Sequence, residues 1–340
     1  MQENNNRYFA ASNTFGGFVS YYDRIFGGLK RIYVIKGGPG TGKSRLISEL
    51  GKSAEGRGLP TEYFYCSFDP DSLDGLIVNK RVAVVDGTAP HIFEPRIPGA
   101  LDVTVDLSGF WNRAYLESKR RELCELNEQK SRCFELAYLY LSSLGKIYES
   151  NRKMLEMCIK RYMFVERLLR ASEESPFRTE TMLRIRSSFG RAGIRSYSSY
   201  EEMSQEVIYI SDEYDTMIAS ELMKSLVWEQ RRIGNVKMYS CSPLEKNRPD
   251  AIMLNDQSSV IVGGGGDFDV SEFLSPDFVR LVPMLKENSE IRKTLISCAE
   301  GQLRIASELH SEIEKIYISA MNFAEKEKFA AELVENIDFF

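Results

Sequence analysis

One run of eight residues constrains this chain more than any other. Gly37-Gly38-Pro39-Gly40-Thr41-Gly42-Lys43-Ser44 fits the spacing GxxxxGK[ST]. It follows the apolar, β-branched run RIYVIK at 31–36 and leads into RLISELGKSAEGRG, an amphipathic helical pattern. A glycine-rich turn between a buried strand and a helix lets backbone amides converge on an anion with no Cβ in the way. The helix that follows adds the positive end of its dipole. In such a loop Lys43 supplies a point charge for the terminal phosphates, and the Ser44 hydroxyl is placed for Mg²⁺. Gly37 through Ser44, with Arg45 after them, form the expected nucleotide-binding set.

Two further runs extend the pattern. Residues 62–66, EYFYC, read as a strand, and VAVV at 82–85 is a continuous apolar run that ends at Asp86. Runs of that kind suit parallel strands buried on both faces, joined by right-handed crossovers. The fold expected is therefore α/β, with a parallel sheet of the P-loop NTPase type. Asp86 would sit at the carboxyl edge of that sheet, where ligands bind, and would orient Mg²⁺ together with Ser44.

The residue after Asp86 is Gly87, not a glutamate that could activate water. A base must then come from elsewhere. Asp69, Asp71 and Asp74 in CSFDPDSLDG are candidates, as are His91 and Glu94 in DGTAPHIFEP. Asp-Pro and Asp-Gly pairs read as turns. Of these residues, Asp69 and His91 join Lys43 and Asp86 as the expected catalytic set. The chain has neither the DxxG glycine after Asp86 nor an NKxD motif, so adenine is the expected base. One of Arg178, Arg184, Arg186, Arg191 and Arg195 could act as an arginine finger, although surface arginines paired with carboxylates are the commoner case. The aromatic stretch RYFAASNTFGGFVSYYDRIF reads as core packing and cover over the nucleotide.

From Trp111 to about Glu174 apolar residues recur at helical steps. A break near Ser142–Gly145 predicts an antiparallel helical hairpin with arms of roughly 40 Å at 1.5 Å per residue. Residues 186–270 overlie the first 90 with a drifting offset: Tyr21 on Tyr200, Asp23 on Glu202, Ser44 on Ser220, Leu46 on Leu222, Leu50 on Leu226, Cys66-Ser67 on Cys241-Ser242, and Val84-Val85 on Ile261-Val262. In place of GGPGTGKS stands EYDTMIAS, with Ala219 under Lys43. The tail after Pro283 is again helical. The expected organisation is a P-loop unit at 1–110, a helical hairpin serving as lid or arm at 111–180, a degenerate second P-loop-like unit at 181–275, and C-terminal helices at 276–340.

Composition narrows the function classes. The 340 residues carry a net charge of −5, which gives no global reason to hold nucleic acid. The six cysteines form no CxxC pair, and the two histidines, His91 and His310, exclude a multi-histidine metal site. MQENNNRYF lacks the pattern of a signal peptide, and no stretch approaches the ~18 apolar residues of a membrane span. A cytoplasmic protein is expected.

RYFAASNTFGGFVSYYD, IYVIKGGPGTGKS, YCSFDPDSLDG, VVDGTAPHIFEPRIPGA and GFWN, over roughly residues 7–112, together resemble the P-loop ATPase-like nucleotide-binding proteins of Firmicutes. The resemblance implies an ATP-binding domain with Gly37–Ser44 as its loop and Asp86 as its Walker B carboxylate. Members of that family can keep a second glycine-rich loop, and this chain departs from them at 213–220. The expectation is an ATP- and Mg²⁺-binding ATP hydrolase with one functional site per chain, and with a protein or small-molecule partner besides the adenine nucleotide. A small-molecule or nucleotide kinase with a helical lid, and a non-hydrolysing ATP-dependent switch or scaffold, are the alternatives.

Overall fold

The computed structural model describes residues 6–171, 181–214, 216–228, 236–254, 258–264 and 268–339. The first half runs β1 (Asn6–Phe9), β2 (Ala11–Thr14), β3 (Gly17–Ser20), α1 (Tyr22–Phe26), β4 (Arg31–Lys36), α2 (Lys43–Gly56), β5 (Thr61–Tyr65), β6 (Leu73–Val78), β7 (Val82–Asp86), β8 (Val103–Asp106), α3 (Arg113–Ser118), α4 (Arg120–Leu155) and α5 (Arg161–Ala171). The second runs β9 (Met182–Leu183), β10 (Ser187–Gly190), β11 (Gly193–Ser196), α6 (Ser199–Met203), β12 (Glu206–Ile210), α7 (Met217–Trp228), β13 (Val236–Ser242), β14 (Glu245–Leu254), β15 (Ser258–Val262), α8 (Val282–Ala320) and α9 (Phe323–Asn336). The chain is thus mixed α/β, with sheets that contain parallel pairs and with long helices.

The first sheet has the order β1-β5-β6-β7-β4-β8. β4 lies directly between β7 and β8 and is parallel to both, as the continuous apolar runs predict. The sheet is not wholly parallel, however. β6 is antiparallel to both neighbours, and this strand lies where the sequence reads as a turn. Asp74-Gly75 is a turn signal in isolation, but all six residues from Leu73 to Val78 are buried. Gly75 is needed there because a Cβ would come within 3.1 Å of the Val84 carbonyl oxygen.

The second sheet repeats the arrangement. Its order is β12-β15-β14-β13-β9, with β14 antiparallel between β13 and β15, β15 parallel to β12, and β13 parallel to β9. The register differs slightly from the one read in the sequence. Ser12 and Ser188, 176 residues apart, meet across the junction of the two halves. The same offset carries Gly75↔Val85 onto Ala251↔Ile261 and Phe64↔Gly75 onto Ser240↔Ala251. Cys66 therefore matches Ser242 rather than Cys241, and Val85 matches Ile261. Asp86 matches Val262, and the Tyr21 amide bond to the Ala10 carbonyl matches that of Tyr197, not Tyr200, to Arg186. Apolar similarity cannot fix a register to one residue when neighbours along the strand are equally apolar.

Each sheet packs its own helix on one face. Leu46, Ile47 and Leu50 of α2 lie on Tyr33, Ile35, Leu76 and Val84, and Ile218 and Leu222 of α7 lie on Ile210, Ile252 and Val260. The opposite faces share one core: Ile32, Val34, Ile77 and Val85 pack with Met238, Ala251, Met253 and Ile261. The two halves meet about an approximate two-fold relation, in which Phe9 pairs antiparallel with its counterpart Ile185.

The expected hairpin with a break at Ser142–Gly145 is not formed. α4 runs unbroken from Arg120 to Leu155, about 54 Å at 1.5 Å per residue. Serine and glycine cost a helix little when packing repays it. Gly145 is used for close approach, since a Cβ there would meet the Phe15 Cβ at 2.9 Å and its ring at 3.1 Å. The partner of α4 is α8 from the other half. They run antiparallel, from Leu123 beside Ile313 and Ile316 at one end to Asn288 Nδ2 donating to Asn151 Oδ1 (2.6 Å) at the other.

Candidate functional site

The loop from Gly37 to Gly42 leaves β4 at the end where Asp86 leaves β7. Gly40 (φ 68°) and Gly42 (φ 81°) take left-handed backbone that other residues rarely adopt, and α2 starts at Lys43. Thr41 Oγ1 donates to the Gly38 carbonyl (2.9 Å) and so braces the turn. The Lys43 ammonium donates to the carbonyls of Gly37 and Gly38 (both 2.9 Å) and lies 3.5 Å from Asp86 Oδ2. Lys43, Ser44 and Asp86 are therefore brought together. Arg45 is directed away: its side chain is exposed, bonded to Glu49 at 2.9 Å, and 3.5 Å from Glu327.

Ser44 Oγ accepts from the amide of Leu73 (2.9 Å), the first residue of β6. Because β6 runs against its neighbours, its first residues stand at the carboxyl edge of β7, which brings Asp74 to the same end as Asp86. Asp74 is thus a buried strand residue rather than a turn residue. Asp86 Oδ1 accepts from the Thr88 amide (2.9 Å) and hydroxyl (2.5 Å). Burial raises the Asp86 pKa and Asp74 adds to this, while Lys43 and Thr88 oppose it.

His91 is buried, stacks on Tyr22 (5.1 Å between centroids) and places Nε2 3.1 Å from Asp74 Oδ2. Burial opposes its charging, but Asp74 and Asp86 outweigh that and raise its pKa above the ordinary value. The Cys66 thiol joins Asp74 and His91 in a group whose ligand atoms lie within 4.8 Å of one another. Burial first, and Asp74 next, push that thiol well above its usual pKa, so it is held protonated. All six cysteines are unpaired.

Other candidates are engaged elsewhere. Asp69 pairs with Arg191 Nη2 at 2.6 Å, and Asp71 lies 3.5 Å from the same guanidinium with its side chain almost fully exposed. Glu94 bonds Lys36 (2.6 Å). Gly87 faces inward, where a Cβ would collide with Val34, so no side chain at that position could reach the loop. Arg184 pairs with Glu62 and Arg186 with Glu201. Arg195 lies on the β10–β11 hairpin, and Arg178 falls outside the described residues. The aromatic N-terminal stretch supplies core: Tyr8, Phe9, Tyr21, Tyr22 and Phe26 are buried.

Sequence reasoning missed the residues that the second half brings to the loop. A Cβ on Gly38 would meet the Trp111 ring at 3.0 Å and Tyr317 at 3.3 Å, and one on Gly40 would meet Ile318 at 2.8 Å. A Cβ on Gly42 would lie 3.1 Å from the ammonium of Lys326. His310, on α8 beside the Phe68 ring, is pushed down to about 4, first by burial and then by Lys130 and Lys43. Tyr317, Ile318, Lys326 and His310 stand more than two hundred positions from the loop in sequence, and the packing of α8 and α9 against the first half brings them there, beside Trp111 of that half.

Comparison of the chain with protein-family models, with curated proteins and with solved structures finds no match. Among the described residues no helix is long and apolar enough to cross a membrane.

Proposed function

We propose that the chain is a P-loop NTPase-type protein that binds ATP with Mg²⁺ at Gly37–Ser44, and that its second half is a degenerate copy without a nucleotide site. The observation that carries this reading is the convergence of Lys43, the Ser44 hydroxyl and Asp86 at the end of two adjacent parallel strands, with Lys43 Nζ 3.5 Å from Asp86. Lys43 resting on the Gly37 and Gly38 carbonyls would exchange them for phosphate oxygens. Ser44 and Asp86 would hold the Mg²⁺, with the buried Asp74 as an additional carboxylate beside it. In the second half the matching positions are Ala219, Ser220 and Val262, so both the cation and the metal carboxylate are gone.

Hydrolysis is the reaction that needs least beyond these groups. Asp69 would have to exchange Arg191 for water to serve as base. That engagement, the inward Gly87 and the cover of Trp111, Tyr317 and Ile318 favour a slow, gated turnover or an ATP-dependent switch over a fast hydrolase. Calorimetry with MgATP tests the reading. Saturable binding that Lys43→Ala abolishes is expected, and no heat of binding in the unaltered protein would refute it. Radiolabelled ATP then separates the reactions, since label only in inorganic phosphate means hydrolysis and label in an organic product means a kinase.

A further inference from the structure

The two halves of the molecule supply an internal control for what the loop requires. The Asn322 amide donates to the Phe110 carbonyl (2.9 Å), and at the other end of the molecule the Lys160 amide donates to the Phe273 carbonyl (2.7 Å). The Asn112 amide bonds the Ala320 carbonyl as the Ser275 amide bonds the Cys158 carbonyl, both at 2.8 Å. α9 therefore enters the first half as α5 enters the second. Lys326 is the fourth residue of α9 and Phe164 the fourth of α5. One backbone position thus holds a lysine against Gly42 and a phenylalanine in the half where Lys43 is replaced by Ala219.

The fold does not need a charge at this position, because Phe164 is fully buried there and packs on Phe268 and Phe273. Lys326 is only 2% exposed, and its ammonium makes no hydrogen bond or ion pair with any described residue. Burying a cation that has no carboxylate in direct contact costs stability, even with Glu49 and Glu327 in its neighbourhood. Burial lowers its pKa, against the pull of Glu49. The costly lysine occurs where the phosphate loop is intact and is absent where the loop is lost.

We propose that Lys326 is a second phosphate-binding cation of the Gly37–Ser44 site, delivered by the second half of the chain. It would contact oxygens of a bound nucleoside polyphosphate at the start of α2. This rests on the nucleotide-binding reading above. It adds that the site is incomplete without α9, so that polyphosphate binding ties the two halves together.

The test measures affinity for MgATP, MgADP and AMP in the unaltered protein and in Lys326→Met, which keeps length and removes charge. A charge-assisted contact predicts a loss of at least about tenfold for MgATP, a smaller one for MgADP and none for AMP. An equal loss for all three nucleotides, or MgATP affinity within about twofold of the unaltered protein, overturns the proposal. A second measurement uses the unaltered chain alone. An ADP whose terminal phosphate carries pyridoxal forms an imine with a nearby lysine, releasing water, and borohydride fixes the bond. Label on Lys326, blocked by MgATP, is expected, and label on Lys43 without Lys326 counts against it. An unaltered protein that binds no MgATP sinks the nucleotide-binding reading itself, an outcome distinct from a Lys326 variant that binds normally.

Discussion

Asp102 holds more of the first sheet's edge than its place in a loop suggests. It is fully buried, accepts from the Ile32 amide (3.0 Å), and takes the Arg96 amide and guanidinium at 2.7–2.9 Å. Arg96 also donates to the carbonyls of Gly27 and Leu29, so one pair ties β4 to the connection before β8. Removing the carboxylate leaves the buried Ile32 amide without its acceptor and the Arg96 guanidinium without its partner. Asp102→Ala should cost roughly 1–3 kcal/mol in urea unfolding. Arg96 holds the Asp102 carboxyl below its usual pKa, so this stabilisation is present above the ordinary carboxylate range and is lost on acidification. His310 acts over a different window. Its pKa falls from 6.5 to about 4, so the unfolded chain takes up a proton that the folded chain refuses. Stability should therefore decline as pH drops from about 6.5 towards 4, and His310→Gln should flatten that part of a urea-midpoint profile.

Among the elements, α4 gives the sharpest test. Ser143 is exposed near the middle of the helix, and its hydroxyl donates only to the Leu139 carbonyl of its own helix (2.9 Å) among the described residues. In a continuous helix Ser143→Pro should cost about 3 kcal/mol or more, read by denaturant unfolding. A loop between two arms would accept it at little cost. The sequence made β4 and α2 legible because RIYVIK and RLISEL carry their periods locally. It also made α4 legible as helix, but not its continuity, since a helix through Ser142-Ser143-Gly145 depends on Phe15 and α8 packing against it. β6 was hidden for the opposite reason: a local turn signal at Asp74-Gly75 yields to burial between two strands. Lys43, Ser44 and Asp86 could be placed from sequence, because each lies at the end of an element whose period is local. Asp74 was a candidate that read as a turn residue, and Trp111, Lys326 and His310 could not be placed, because tertiary packing alone brings them to the loop.

At the scale of the whole molecule, neither half closes its core alone. Phe9 pairs with Ile185, the inner faces of both sheets share one cluster, and α8 covers the loop of the opposite half. Residues 1–171 and 181–340 expressed as separate chains should therefore co-purify as a folded pair and be insoluble alone. Independent solubility of either piece would argue against the shared core. The central claim is that this paired architecture holds one polyphosphate site, built on Lys43 and closed from the other half. Equilibrium dialysis with labelled ATP and Mg²⁺ tests it most directly. The account predicts one ATP bound per chain, and either none or two per chain would contradict it.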